Sequence, residues 1–139
     1  SVHLWATHGS PGFGLDDQAC RVKQFDQVFV DIGDGEPAAN GAENIIMGDF
    51  NTDPGRLAKN DPSAARINDF VGEGLPFHFV NEVGPDAPPT YAAFNIDLVI
   101  SDVYKGDCWA AGATEGHPPV YDAIYFDHKP IVCTVEKAP

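Results

Sequence analysis

The chain has 139 residues, which is enough for one domain and too few for two domains of ordinary size. Acidic residues number 21 against 8 basic ones, so the formal net charge is −13, and hydrophobic residues make up 43% of the chain. This composition is typical of a globular protein and excludes wholesale disorder. No stretch approaches the roughly 20 apolar residues of a membrane-spanning helix, so we expect no membrane span.

Local patterns predict strands and helices in the order βαβαβββ, which is typical of an α/β sandwich. Apolar residues recur at helical spacing from Val22 to Ile32, and Asp61 followed by Pro62 is a typical helix start. Apolar runs rich in β-branched residues predict the strands. In chain order we expect a strand over residues 1–8, a helix over 16–32, a strand over 44–47, a helix over 62–71, strands over 77–80 and 94–101, a mostly irregular segment over 105–125, and a last strand over 129–135.

The charge narrows the range of partners. Binding to nucleic acid or to an anionic membrane grows with the number of phosphates that Lys and Arg neutralise. The 8 basic residues are scattered, with no run among them. Tight, non-specific DNA binding is therefore not expected from these residues alone, whereas carboxylates that hold a divalent cation fit the composition better.

The three cysteines, Cys20, Cys108 and Cys133, leave two interpretations open. Cys108 and Cys133 lie in or near predicted strands, and neighbouring strands would let them form a disulfide, with Cys20 free or paired outside this chain. Three reduced, half-buried thiols are the alternative. No spacing suggests a zinc site. Low lysine content and 12 prolines favour a secreted or extracytoplasmic protein.

Polar side chains gather at the ends of four predicted strands. Strands hold side chains rigidly at the rim of a sheet, where functional groups concentrate. We therefore expect these imidazoles, carboxylates and amides to meet at one rim. The residues are His8, then Asp49 and Asn51, then Asn95 and Asp97, and finally Asp127 and His128.

The segment over residues 48–54 (GDFNTDP) carries the sharpest pattern. Asp49 and Asn51 lie two residues apart in an extended turn, so both side chains can point to one side with Phe50 buried opposite. A carboxylate can hold Mg²⁺ or Mn²⁺ or orient water, and an amide can donate to a phosphoryl oxygen. An Asx-type turn after a buried strand is the structural alternative, because Asp and Asn favour turns.

Four ordered segments carry motifs: residues 2–11 (VHLWATHGSP), 45–54 (IIMGDFNTDP), 95–102 (NIDLVISD) and 126–132 (FDHKPIV). Together they resemble the endonuclease/exonuclease/phosphatase superfamily, which includes deoxyribonuclease I, abasic-site endonucleases, inositol polyphosphate 5-phosphatases and bacterial sphingomyelinases. The second segment resembles the GDFN-x-x-P signature of that superfamily. The first resembles its strand that ends in a catalytic His, in a form close to that of deoxyribonuclease I.

The resemblance implies a catalytic role for each matching residue. His128 would be the general base that activates water for in-line attack on phosphorus, and Asp97 would orient its ring. His8 would donate to a phosphoryl oxygen or to the leaving group. Asp49 would position the attacking water.

The resemblance also implies a metal and a substrate site. Asp127 and Asp49 would hold Mg²⁺ (or Mn²⁺), which stabilises the charge that develops at phosphorus. Asn51 and His8 would bind the phosphate of a phosphodiester substrate, and the likeness around His8 favours nucleic acid. Residues 121–125 (YDAIY) are a further candidate for substrate contact.

The fold implied by the resemblance is half of a four-layer α/β/β/α sandwich of deoxyribonuclease I-like type, with a mixed, mostly antiparallel sheet. Residues 1–139 match the C-terminal half of the family's domain as a single unit. We expect the N-terminal half, which supplies further metal ligands in the family, to be a separate chain or a segment missing from this one. Alone, the present half would expose an apolar sheet face.

The expected function is that of a divalent-metal-dependent phosphoesterase, active only with the N-terminal half. A deoxyribonuclease I-like nuclease that hydrolyses phosphodiester bonds by His-activated water is favoured. A phosphatase or sphingomyelinase of the same superfamily is one alternative. A non-catalytic binding or toxin-like module on the same fold is the other.

Overall fold

The computed structural model describes residues 1–33, 35–120 and 127–139. These ranges hold a mixed α/β arrangement, which confirms the fold class at this level. In chain order the elements are β1 (His3–His8), α1 (Leu15–Phe29), β2 (Asn44–Asp49), α2 (Pro62–Phe70), β3 (His78–Phe79), β4 (Asp97–Ser101), β5 (Tyr104–Ala110) and β6 (Ile131–Lys137).

Four strands form a mixed sheet with the order β1-β2-β4-β3. β1 pairs in parallel with β2, while β4 runs antiparallel to both β2 and β3. Two parallel neighbours need a crossover connection, and α1 supplies it between β1 and β2. β5 and β6 form a separate antiparallel pair. The pairing within the described ranges is thus mixed and mostly antiparallel, as predicted.

The two helices cover one face of the four-stranded sheet. Phe25 of α1 and Ile67 of α2 are fully buried in a single cluster with sheet residues Ile46, Leu98 and Ile100. Side chains alternate between the two faces of a strand, so the neighbours of these buried residues lie on the opposite face.

The face opposite the helices is partly open. Leu4 keeps 64% of its surface exposed, and Met47 keeps 38%. Both belong to the same face, because Ala6 pairs with Met47 in register and Leu4 lies two residues before Ala6. The expectation of an exposed apolar sheet face agrees with these exposures.

The start of α2 agrees with the prediction from its local sequence, whereas the end of α1 differs from the prediction. Asp61 accepts a hydrogen bond from the Ser63 amide at 2.8 Å, and Pro62 occupies the first helical position. α1 ends at Phe29 rather than near residue 32, so the predicted end was wrong. The returning chain explains the early end, because the Ala38 and Ala39 amides bond the carbonyls of residues 27 and 28.

An ion pair in the interior joins both helices to the loop after β1. Arg21 is fully buried, and its guanidinium donates to the carboxylate of Asp61 at 3.1 Å and to the hydroxyl of Ser63 at 2.9 Å. Its remaining nitrogen donates at 2.8 Å to each of the carbonyls of Ser10 and Gly12. The Arg21 side chain therefore holds the backbone of the loop that follows His8.

Asp61 extends this network to the loop after β2. Its carboxylate accepts a hydrogen bond from Thr52 at 2.7 Å. Burial by itself raises the pKa of Asp61, but hydrogen bonds from Ser63 and Thr52 and the charge of Arg21 outweigh burial, so the pKa is lowered. The resulting stabilisation is present above the unfolded pKa and is lost as pH falls through the lowered folded pKa.

The segment over 105–125 is less irregular than predicted, because β5 occupies its beginning. Lys105, Gly106 and Asp107 have weak strand propensity, so local sequence gave no signal. Pairing with β6 makes the strand, and Cys108 lies directly opposite Cys133 in the register. These two cysteines form a disulfide, while Cys20 is free and exposed. Of the two cysteine interpretations, the disulfide is therefore the one confirmed.

All five predicted strands differ from the structure in at least one boundary. β1 begins at His3, and β2 continues to Asp49. β3 covers two residues, β6 is shifted toward the C-terminus, and β4 begins at Asp97 rather than at residue 94. The late start of β4 has a local cause, since Tyr91 and Phe94 exchange backbone hydrogen bonds across a tight turn. In the described part of the chain, neither helix is long and apolar enough to cross a membrane.

Removing the carboxylate of Asp61 should destabilise the fold strongly, because the fully buried charge of Arg21 would lose its partner. We expect Asp61→Ala to lower the free energy of unfolding by about 3–5 kcal/mol. Arg66→Ala is the matched control, because Arg66 pairs with Asp26 and Asp69 near the surface. It should cost less than about 1 kcal/mol. Urea unfolding followed by circular dichroism measures both losses, and equal losses would contradict this assignment.

Candidate functional site

Three of the predicted site residues form one row across the open face of the sheet. His8 of β1 pairs with Asp49 of β2, and Asp49 pairs in turn with Asp97 of β4. Residues aligned across neighbouring strands have side chains about 4.5–5.5 Å apart at Cβ. The register therefore brings an imidazole and two carboxylates together at the sheet rim, as the strand-end pattern predicts.

Two glycines let the first two strands approach each other at this rim. Gly48 has φ 147°, and a Cβ there would collide with the carbonyl of Thr7. A Cβ on Gly9 would collide with the carbonyl of Phe50. The glycines that precede Asp49 and follow His8 are thus required by the close approach of the two backbones.

The turn after β2 aims two polar side chains into the site. The Asp49 carboxylate accepts a hydrogen bond from the backbone N–H of Asn51 at 2.8 Å. The Asn51 backbone has a left-handed conformation with φ 51°, which Asn tolerates. The Asn51 side chain donates to the Gly9 carbonyl at 2.9 Å. An amide nitrogen carries two hydrogens, so this bond leaves the second one for a ligand. Phe50 is fully buried on the opposite side, as predicted.

His128 completes the group by bonding to Asp97. Its Nδ1 lies 2.8 Å from Asp97 Oδ2, and its Nε2 lies 3.6 Å from Asp49 Oδ2. Nε2 of His8 lies 3.5 Å from the same Asp49 oxygen, so both imidazoles converge on it. The carboxylate beside Nδ1 assigns the proton to that nitrogen and leaves a lone pair on Nε2 when the ring is neutral.

A buried threonine holds Asp97 and His128 in place. The Thr90 hydroxyl accepts hydrogen bonds from the amides of Ile96 and Asp97, at 3.1 and 3.2 Å. Its carbonyl accepts the amide N–H of Lys129 at 2.6 Å. Thr90 therefore ties the start of β4 to the residue after His128. Sequence reasoning missed it, because a Thr in a proline-rich loop carries no local signal of this role.

The surrounding charges favour the protonated form of His128. Partial burial lowers the pKa of the imidazole, but the hydrogen bond to Asp97 and the charges of Asp97, Asp49 and Asp127 outweigh burial. The pKa of His128 is therefore raised above its ordinary value. Because the pKa is raised, Nε2 of the neutral ring is a stronger base than in a free imidazole.

The row opens into a cleft of about 300 Å³. Asp127 lines it and is exposed, while Asn95 is buried and donates to the Glu82 carbonyl instead. Among the described residues that line the cleft, none is Lys or Arg. The lining residues are His8, Pro11, Gly12, Phe13, Asp49, Asn51, Leu57, Tyr91, Phe94, Ile96, Asp127 and His128.

The donor set in the cleft suits a hard cation. Ligand atoms of Asp49, Asp97 and His128 lie within 4.8 Å of one another. Asp97 and His128 are bonded to each other, which leaves Asp49 as the carboxylate of this group with an oxygen facing the cleft. Mg²⁺ keeps several waters and uses one or two carboxylates together with substrate phosphates. Asp49 fits that requirement, whereas Asp127, the other predicted ligand, lines the cleft outside this group of ligand atoms.

Aromatic side chains in the cleft were not singled out by the sequence. The ring centroids of Tyr91 and His128 lie 4.8 Å apart, and those of Phe13 and Phe94 lie 6.5 Å apart. A signal existed for one of them, because Phe13 lies two residues after the motif segment over 2–11. Residues 121–125, the predicted substrate contact, lie outside the described residues.

The remaining histidines lie away from the cleft. His78 is half-buried, and its Nε2 lies 2.6 Å from the Tyr104 carbonyl. His117 stacks on Trp109 with ring centroids 4.1 Å apart. His3 is exposed at the far end of β1. None of the three lines the cleft around His128.

No family model, curated protein or solved structure matches this chain. Its function is therefore inferred from the geometry and chemistry of the cleft.

Replacing the carboxylate of Asp97 should lower the pKa of His128, because both the hydrogen bond and the charge that raise the pKa would change. We expect Asp97→Asn to shift the titration of the His128 ring protons to lower pH, measured by NMR on the metal-free protein. The ring protons of His117 serve as the internal control and should not move. An unchanged or higher His128 pKa would contradict the pairing.

Proposed function

We propose that this chain belongs to a divalent-metal-dependent phosphoesterase, most closely a deoxyribonuclease I-like nuclease. One observation carries the proposal: Nε2 of His128 and Nε2 of His8 converge on one oxygen of Asp49, while Asp97 holds the far side of the His128 ring. A base with a free lone pair, an orienting carboxylate and a second imidazole can supply the general base and general acid for hydrolysis of a phosphodiester.

In the proposed reaction, Nε2 of His128 takes a proton from a water molecule that Asp49 orients, and the water oxygen attacks phosphorus. Asp97 stabilises the imidazolium that forms, since it accepts from Nδ1 at 2.8 Å. His8 lies at the other side of Asp49 and donates a proton to the departing oxygen. The free hydrogen of the Asn51 amide holds a phosphoryl oxygen.

The acidity of the cleft supports a metal requirement. Asp49 and Asp127 line the cleft, and Asp97 lies behind the His128 ring. All three repel an anionic phosphate, and the described lining residues offer no Lys or Arg to offset that repulsion. Asp49 and Asp127 would hold Mg²⁺ or Mn²⁺, and the bound ion would neutralise the phosphate and stabilise charge on its oxygens.

We further propose that the fold is half of a four-layer sandwich and that activity needs an N-terminal half. The helices cover one face of the sheet, and the site row lies on the opposite, partly open face. A second layer over Leu4 and Met47 would border the cleft and add ligands to the few that this chain supplies. The disulfide supports a secreted or extracytoplasmic location, since such bonds persist in oxidising compartments.

Metal-dependent turnover tests the proposal directly. The complete protein should release p-nitrophenol from bis-p-nitrophenyl phosphate with Mg²⁺ or Mn²⁺, and EDTA should abolish the release. Activity on this diester and little on the matching monoester would favour a nuclease over a phosphatase. Absence of any metal-dependent turnover would contradict the proposal and favour a non-catalytic binding module.

The role of His128 is tested by removing its ring. We expect His128→Ala to reduce the rate of diester hydrolysis at least ~10²-fold, because the water would lose its base. His3→Ala removes an exposed histidine on the strand that carries His8, and its rate should match the wild type. Circular dichroism checks that both variants fold. A loss below threefold for His128→Ala would exclude His128 as the base.

A further inference from the structure

The cleft has two chemically different halves. Its polar half contains the imidazoles and carboxylates described above. Its other half is apolar and is formed by Phe13, Phe94, Ile96, Leu57 and Pro11. A phosphate can pair only with the polar half, so the chemistry of the lining suits a phosphate that carries a flat apolar group.

Phe13 is an exposed part of the apolar wall, and its backbone is nevertheless held in place. It keeps 73% of its surface exposed. The backbone around it is fixed, because Arg21 donates to the Gly12 carbonyl at 2.8 Å and Gln18 donates to the Phe13 carbonyl at 3.0 Å. Burial does not explain this arrangement, since an exposed phenyl ring gains little from it.

Phe94 forms the second side of the wall. Its ring is half-buried and tilted 48° to that of Phe13 at a centroid distance of 6.5 Å. The backbone bonds between Tyr91 and Phe94 fix this turn, and Asp97 follows three residues later in β4. The aromatic wall is thus anchored to the strands that carry His8 and Asp97.

We propose that Phe13 and Phe94 form a stacking site for an unpaired nucleobase next to the phosphate that the polar half receives. The proposal rests on the proposed function, because it places the base relative to the reacting phosphate. Stacking on aromatic side chains is the usual way in which proteins bind single-stranded nucleic acid without reading its sequence. The substrate class is then single-stranded nucleic acid, with little preference among bases.

The charge of the protein favours a single strand over a duplex. Duplex binding depends on many contacts between Lys or Arg and phosphates. The chain has 8 basic residues against 21 acidic ones, and the described lining of the cleft contains none of the basic ones. Stacking supplies affinity that does not depend on phosphate neutralisation, but only a base that has left a duplex can reach Phe13.

The test measures binding without turnover. The complete protein with His128→Ala is titrated, in Mg²⁺, against a fluorescein-labelled short single strand, the same strand without bases, and its duplex, and fluorescence anisotropy gives each Kd. We expect the single strand to bind more tightly than the other two. Phe13→Ala should weaken single-strand binding about 5- to 150-fold, the range reported for loss of one stacked base.

Two further variants distinguish stacking from nonspecific hydrophobic binding. Phe13→Trp keeps a flat ring and should retain affinity for the single strand. Leu15→Ala removes another exposed apolar side chain, which does not line the cleft, and should leave affinity unchanged. Deoxy- and ribo-strands of the same sequence, compared in parallel, identify which nucleic acid the cleft takes.

Several results would overturn the stacking site. These are no binding of the single strand, equal affinity for strands with and without bases, tighter binding of the duplex, or equal effects of Phe13→Ala and Leu15→Ala. Because the readout is binding, it is independent of hydrolysis by the wild-type protein. Hydrolysis without base-dependent binding would overturn the stacking site alone, and base-dependent binding without hydrolysis would overturn the proposed phosphoesterase alone.

Discussion

The buried pair of Arg21 and Asp61 is the interaction on which the site depends most. Arg21 fixes the two carbonyls that follow His8 in the chain, and Asp61 accepts from Thr52, next to Asn51. A charge in the interior is tolerated only when its partners satisfy it fully. Leaving the buried Arg21 charge without any of these partners would cost free energy, and this cost restricts the loops after β1 and β2 to one geometry. That geometry places an imidazole, a carboxylate and an amide at the same rim.

A second constraint comes from the register of the sheet. A one-residue slip between β1 and β2 would turn His8 toward the helices and separate it from Asp49. Trp5 of β1 packs against the helix-side cluster and opposes such a slip, because its ring would move to the opposite face of the sheet. The hydrophobic core thus determines which side chains face the cleft. The orientation of His8, Asp49 and Asp97 toward the cleft therefore does not depend on contacts among these three side chains.

The parts of the fold that were predictable are those with a local cause. The start of α2 depends on Asp61 and Pro62, which are neighbours in sequence. β5 was missed because its pairing partner lies 25 residues away across the disulfide. In the site, strand-end reasoning found His8 and Asp49, which end apolar strands, and Asp97 and His128, which come just before apolar runs. Thr90 and Phe13 were not found, since their importance arises only when separate loops meet.

The arrangement also separates the residues proposed for chemistry from those proposed for recognition. The groups assigned to chemistry lie on or beside strands whose register is fixed by the core. The groups assigned to recognition, Phe13 and Phe94, lie on turns just outside those strands. Changing an aromatic ring on such a turn should alter the apolar wall of the cleft and leave the distance between His128 and Asp97 unaffected. Arg21 is the exception, because it holds both Gly12, next to Phe13, and Ser10, close to His8. Loss of its charge would therefore disturb both the recognition residues and the proposed catalytic residues. A substitution of Phe13 or Phe94 alone would affect recognition only.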